Sequence, residues 1–154
     1  MIIREATASD IIDIVSKTMR PGDKTPFIAQ RAIPIDGTAT ALALNILITN
    51  PQKNSVVFIA EDEVDGIVGA LGGHIEPYMF NRQYLIARED FRQALVGAKV
   101  TWKLITAFEE WAKTQGVSAV LLFERTSYTN KSLEPYMESL GYKLLERSYL
   151  KEVI

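Results

Sequence analysis

Between Val56 and Phe123 the apolar residues change their spacing twice, and this restricts the chain to a small set of folds. Up to about Val96 the pattern is β-rich. From Ala98 it is helical, with Val100, Leu104, Phe108 and Trp111 on one stripe and Ile105 and Ala112 beside it. At Val117 it changes again, to a short continuous apolar run ending at Phe123 that reads as a fully buried strand. A strand, a helix and a strand of these lengths imply a right-handed parallel crossover, with Gly116 closing the helix in a left-handed conformation.

The segments around this unit are shorter. Residues 2–5 read as a strand that leads into Thr7-Ala8-Ser9-Asp10, where a hydroxyl three residues before an acid predicts a capped helix. That helix has Ile11, Ile12, Ile14 and Val15 on one side and stops before Pro21-Gly22, after which the chain is loop-like to Gly37. Thr38 opens a second helix, ended by Asn50-Pro51, whose apolar residues fall nearly all round and predict burial. Val56–Glu61 and Val64–Ile75 predict an antiparallel hairpin, with the acidic stretch Glu61 to Asp65 at its tip rather than a calcium loop. Gly72-Gly73-His74-Ile75-Glu76-Pro77 is expected to break the second strand and lead into an irregular segment near Arg82. A third strand, Tyr84 to Val96, has an alternation that slips at Arg88-Glu89-Asp90, as a bulge or as exposure of both faces. A short helix from Asn130 to Leu140 and a last strand from Tyr142 to Val153 complete the order β-α-α-β-β-β-α-β-α-β. The class is α/β (α+β), an antiparallel meander joined to one parallel crossover, and 154 residues leave room for a single domain, 1–154.

Composition excludes several chemistries. Seventeen Lys and Arg against 19 Asp and Glu leave no basic excess to neutralise a phosphate backbone, so nucleic acid is not expected as a partner. The absence of cysteine removes thiolates and cysteine metal sites, and the one histidine, His74, cannot supply both a triad and a zinc site. Zinc, haem, flavin and nicotinamide have no supporting residues. Carboxylate, hydroxyl, amide and backbone chemistry remain. No apolar run reaches the ~18 residues of a membrane span, and MIIREATASD lacks the regions of a signal peptide, so no membrane partner and a cytoplasmic location are expected.

In its order of elements the whole chain resembles the GCN5-related N-acetyltransferase superfamily. The resemblance is strongest in ITAFEEWAKTQGVSAVLLF and SLEPYMESLGYKLLERSYLKEV, which are similar to the segments closing the acetyl-CoA-binding half of that fold. HIEPYMFNRQYLIAREDF resembles acetyltransferase-like proteins encoded by tailed bacteriophages, which would place the protein in a host cytoplasm. The family implies a mixed, mainly antiparallel central sheet with helices on both faces. It also implies acetyl-CoA as co-substrate and transfer of its acetyl group to a primary amine of a protein or small molecule. That reaction needs a cradle for the pyrophosphate, a donor for the thioester oxygen, a base for the ammonium and an acid for the leaving thiolate.

The family's cradle is a strand-to-helix turn with the pattern R/Q-x-x-G-x-G/A, whose small residues let backbone amides meet phosphates. It would fall on Leu95, Val96, Gly97, Ala98, Lys99, Val100 and Thr101. Counting back from Leu104 puts Val96, Lys99 and Thr101 at the pattern positions, and only Thr101 is small. Making Gly97 the first glycine puts Ala94, Lys99 and Trp102 where Arg or Gln, a small residue and Leu belong. Neither register reproduces the pattern. Lys99 could offer its ammonium to a phosphate; alternatively, Gly97 only permits a tight turn into a structural helix.

For the acid, the family places a Tyr four residues before the glycine of its last helix-to-strand turn. Gly141 has Met137 at that spacing, while Tyr136 lies one residue away, about 100° around the helix, as general acid or as a packing residue. Asn130 matches a position that contacts the pantetheine or phosphate portion, or is an N-cap. For the base, Glu89 lies on the central strand, with Asp90 and Glu76 as competitors and an ordinary solvated carboxylate as the alternative for all three. His74 suits proton transfer as an imidazole, or is a hydrogen-bonded structural residue. Gly69, Gly72 and Gly73 suggest close backbone approach or a bulge, and Phe108 and Trp111 are expected in the core. Pro21 to Pro51 with the Gly73 to Arg82 loop would line the acceptor side, and the apolar second helix could serve a homodimer or the core. Two functions are therefore expected: an N-acetyltransferase, or a catalytically inactive protein of the same fold that works through protein contacts, as a virion-associated phage component would.

Overall fold

The computed structural model describes residues 1–19, 35–95, 97–123 and 134–145. The described residues up to Leu122 form one compact unit, and Phe123 with residues 134–145 belongs to a second. In the first unit, β1 (Ile2–Glu5) pairs antiparallel with β2 (Ser55–Asp62), setting Arg4 opposite Ile59. The helical segment α1 follows as a 3-10 turn (Ala8–Asp10), an α-turn (Ile11–Asp13) and a π-helical stretch (Ile14–Met19). The predicted cap is present: Asp10 Oδ2 accepts from the Thr7 amide at 2.7 Å and its hydroxyl at 2.9 Å.

The Asp10 carboxylate has a second function. Arg4 donates to both of its oxygens at 2.9 Å and also to Glu61 at 2.9 Å, so one guanidinium ties β1, α1 and β2 together. The Arg4 hydrogen bonds hold the Asp10 carboxyl well below the usual carboxylate range, while Asp10 and Glu61 keep Arg4 firmly charged.

Helix α2 (Gly37–Thr49) starts at Asp36, whose Oδ1 accepts from the Ala39 amide at 2.7 Å. The expectation that it is well buried is corrected: Leu44 is its one fully buried residue, while Leu42 and Ile46 are 62% and 67% exposed. An all-apolar helix on one side of a sheet can bury only the stripe facing it. The preceding loop lies outside the described residues except for its last positions, since residues 20–34 are not described.

Strand β2 continues into β3 (Gly66–Tyr78) and β4 (Asn81–Ala94), each pair antiparallel. The break predicted at Gly72–Pro77 does not occur, because β3 runs through it and accommodates Pro77 beside a register shift near its end. The slip near Glu89 is a bulge: Gly72 faces Phe91 and Gly73 faces Glu89, leaving Asp90 as the extra residue. Close approach explains the two glycines. A Cβ on Gly72 would lie 2.3 Å from the Phe91 ring, and one on Gly73 would lie 2.2 Å from the Arg88 carbonyl oxygen and 2.8 Å from Phe108.

Helix α3 (Gly97–Thr114) ends in the expected way, with Gly116 at φ 69°. Strand β5 (Ala119–Leu121) lies parallel to β4, completing a sheet in the order β1-β2-β3-β4-β5 with the crossover the sequence implied. It is half-buried, not fully buried. One core cluster joins Val56, Phe58, Leu71 and Ala87 to Leu104 and Phe108 of α3. The other joins Val57, Ile59, Ile67 and Ala70 to Ile11, Ile14 and Leu44 of α1 and α2. Helices therefore cover both faces, as in the expected mixed α+β class. In the second unit, α4 (Glu134–Ser139) ends at Gly141, with φ 89°. Residues 142–145 are not a strand, and the rest of the expected last strand lies outside the described residues.

Two outcomes follow for stability. Asp10→Asn removes a charged partner of Arg4 and is expected to cost about 1 kcal/mol at pH 7, discounted for the partial exposure of Arg4. Because folding lowers the Asp10 pKa, this contribution is complete above the unfolded value near 4 and is lost as pH falls below it. Urea unfolding should thus show wild type and variant converging between about pH 5 and pH 2. Gly73→Ala drives a methyl into a backbone carbonyl and the Phe108 ring, and thermal unfolding should register a loss of about 3 kcal/mol.

Candidate active site

Strand β4 pairs with β3 along nearly its whole length but with β5 over three residues only, Ile86 to Arg88 opposite Ala119 to Leu121. Past Arg88 no register pair joins β4 to β5 among the described residues. The bulge in the β3–β4 pairing lies immediately beyond, at Asp90, where an extra residue increases the local twist of β4.

The same strand leads directly to the helix end. Leu95, 40% exposed, is anchored by its amide to the Val68 carbonyl at 2.8 Å, and Gly97 enters α3 at φ 59°, the left-handed region that favours glycine. Gly97, Ala98 and Lys99 are exposed, Thr101 is half-buried, and Val100 is turned into the core above Gly69. The first-turn amides of an 18-residue helix have no partners within the helix and carry its positive dipole end, which suits an anion. Val96 and Asn130 lie outside the described residues.

Beyond Arg88, β4 carries buried polar side chains. Glu89 is fully buried opposite Gly73, on the face covered by α3, with Arg92 Nε 3.6 Å from its Oε1. This rules out the solvated alternative for Glu89, since a buried carboxylate requires a compensating charge beside it. Gln93 is also buried, and its Nε2 has no hydrogen-bond partner among the described residues. Arg92 and Gln93 were missed as site candidates; the available signal was a polar run, Arg88-Glu89-Asp90 and then Arg92-Gln93, inside a strand with apolar neighbours.

On the opposite face the bulged Asp90 accepts from His74 Nδ1 at 2.8 Å, and Glu76 Oε1 accepts from Arg88 at 2.9 Å. His74 Nε2 lies 3.5 Å from Glu76 Oε2. These four side chains are each about one-third exposed; Glu76 is ion-paired with Arg88 and Asp90 is hydrogen-bonded to His74, so neither carboxylate is freely solvated. The structure thus brings together two groups, Glu89 with Arg92 and Gln93, and His74 with Glu76, Arg88 and Asp90. Tyr136 belongs to the second unit, where it is 40% exposed and its carbonyl accepts from the Leu140 amide at 3.2 Å, while Met137 is half-buried. Phe108 is in the core as expected, stacked on Trp111 at 5.5 Å. Among the described residues no acidic or histidine cluster fits a metal ion, and no helix is long and apolar enough to cross a membrane.

No protein-family model matches the sequence, and none of the curated proteins does. Solved structures do match. A transcriptional regulator from Bacillus halodurans C-125 has a TM-score of 0.72 at 20% identity, covering 99% of each chain. A predicted acetyltransferase with acetyl-CoA from Clostridium acetobutylicum has a TM-score of 0.68 at 16% identity, over 98% of this chain and 95% of that one. Glucosamine-6-phosphate N-acetyltransferase from Arabidopsis thaliana has a TM-score of 0.65 at 15% identity, over 98% and 97%. The five-stranded mixed sheet of the described residues, with its parallel crossover, is therefore the fold shared with these acetyltransferase structures.

Proposed function

We propose that the protein transfers an acetyl group from acetyl-CoA to a primary amine of a protein or small molecule. The observation that carries this reading is the exposed N-terminus of α3 at Gly97–Lys99, on the strand whose pairing with β5 ends at Arg88 among the described residues. A thin, amide-rich arm ending in a diphosphate has the shape and chemistry for that arrangement. The arm would lie along β4 beyond Arg88. The diphosphate would meet the first-turn amides from Gly97 to Thr101, with Lys99 supplying an ammonium and Leu95 beside it.

In the reaction the amine nitrogen attacks the thioester carbonyl carbon, the C–N bond forms, the C–S bond breaks and the thiolate takes a proton. Tyr136 is assigned as the donor of that proton through its hydroxyl. Glu89 is assigned to the amine side. Its full burial beside Arg92 favours action through water over direct contact with the acceptor. A second reading, a non-catalytic module or virion-associated component, is favoured by the hairpin tip, where Met79 and Phe80 are 80% and 82% exposed.

Thermal unfolding separates the two readings. Acetyl-CoA at 100 times its dissociation constant should stabilise the fold by about 2.7 kcal/mol, a rise of roughly 5–10 °C in Tm. No rise at millimolar acetyl-CoA would leave only the protein-contact reading. Tyr136→Phe should keep acetyl-CoA binding and lower kcat about 100-fold, as loss of a general acid does; full turnover by the variant refutes the assignment.

A further inference from the structure

We infer that the exposed face of α2 is a contact between two copies of this chain, packed as an antiparallel pair about a two-fold axis that passes between Leu42 and Ala43. The burial of Leu44 fixes which side of the helix meets the sheet. Helical spacing then gathers Ala39, Leu42, Ala43 and Ile46 on the opposite side, and all four are exposed. Ile12 of α1, the segment packed beside α2, is 79% exposed and adds to the apolar surface of this helical layer. Charged residues make up 23% of the chain, yet none falls among the 13 of α2. A solvated helix face normally carries charge, and its absence marks the centre of an interface.

The order of sizes along this face points to a second copy as the occupant. A two-fold contact sets a surface against itself, so the patch has to be its own complement. Along α2 the exposed apolar residues run small, large, small, large. Reversed about the axis, Ala39 meets the partner's Ile46 and Leu42 meets the partner's Ala43. Each large side chain is then opposite a small one, and the two helices can approach closely. The ends agree as well. Antiparallel packing brings Asp36, the exposed N-cap, to the end of the partner's helix, where Lys53 is exposed in the turn that its amide closes on the Asn50 carbonyl. It also aligns the positive end of one helix dipole with the negative end of the other. A contact made mainly by one helix from each copy buries less surface than a permanent dimer does, so the pair is reversible and in the micromolar range.

Sedimentation velocity of the full chain, from about 1 μM to about 500 μM, should show the average mass rising from monomer towards dimer. Leu42→Glu changes a side chain that is already exposed, so it should leave the melting temperature of the dilute protein unchanged while keeping it monomeric throughout. A monomeric wild type across this range overturns the pairing and leaves the face to a different protein. A dimer that survives Leu42→Glu overturns it in favour of another surface. Cysteine cross-linking tests the axis, since the chain has no cysteine of its own. Ala43 lies about 1 Å along the helix from the axis, whereas Ala39 lies about 5 Å from it, which sets the two copies of that residue about 10 Å apart and beyond the reach of a disulfide. Ala43→Cys should therefore form an intermolecular disulfide under mild oxidation, and Ala39→Cys should do so only when mixed with Ile46→Cys. No linking by Ala43→Cys, or equal self-linking by Ala39→Cys, overturns the antiparallel packing.

Discussion

The uneven pairing of β4 is the constraint on which the rest of the molecule depends. One side of the strand is hydrogen-bonded to β3 almost end to end, and among the described residues the other pairs with β5 through three residues. The single extra residue, Asp90, shifts the β3–β4 register, so Glu89 and Asp90 project to opposite faces of the sheet. Two different environments result from one bulge: a dry one beneath Phe108 and a wet one beside His74.

Much of this architecture was legible in the sequence because it depends on spacing. The change from β to helical period near Ala98 and back near Val117 pointed to the crossover, and the slip at Arg88-Glu89-Asp90 marked where either a bulge or two exposed faces would fall, of which the structure has the bulge. What was not legible depends on tertiary contact. The Gly72–Pro77 stretch looks like a strand breaker because glycine and proline have low strand propensity, yet the glycines are required there by the rings of Phe91 and Phe108. A helix with apolar residues all round does not say which of them will meet the sheet, and Leu44 alone became fully buried.

The site divides along the same line. Glu89 could be singled out by its strand, but neither its burial nor its neighbour Arg92 could be, since i,i+3 residues meet on a strand only when a bulge intervenes. His74 and Asp90 are sixteen positions apart and come into contact through the hairpin register alone. The segment from Leu95 to Thr101 matches the glycine pattern poorly. The conformation of Gly97 and the exposure of Ala98 and Lys99 bear on whether an anion can approach more directly than residue names do.

The paired glycines of β3 also restrict how the central hairpin can assemble. Each sits beneath one aromatic ring, Gly72 under Phe91 and Gly73 under Phe108, from opposite faces of the sheet. Sliding β3 along β4 by one residue would exchange the faces of every side chain, and sliding by two would put Leu71 or His74 where only a hydrogen fits. A mispaired hairpin thus cannot close its core on either side, and the longest strands of the protein have one alignment in which both helical layers can dock.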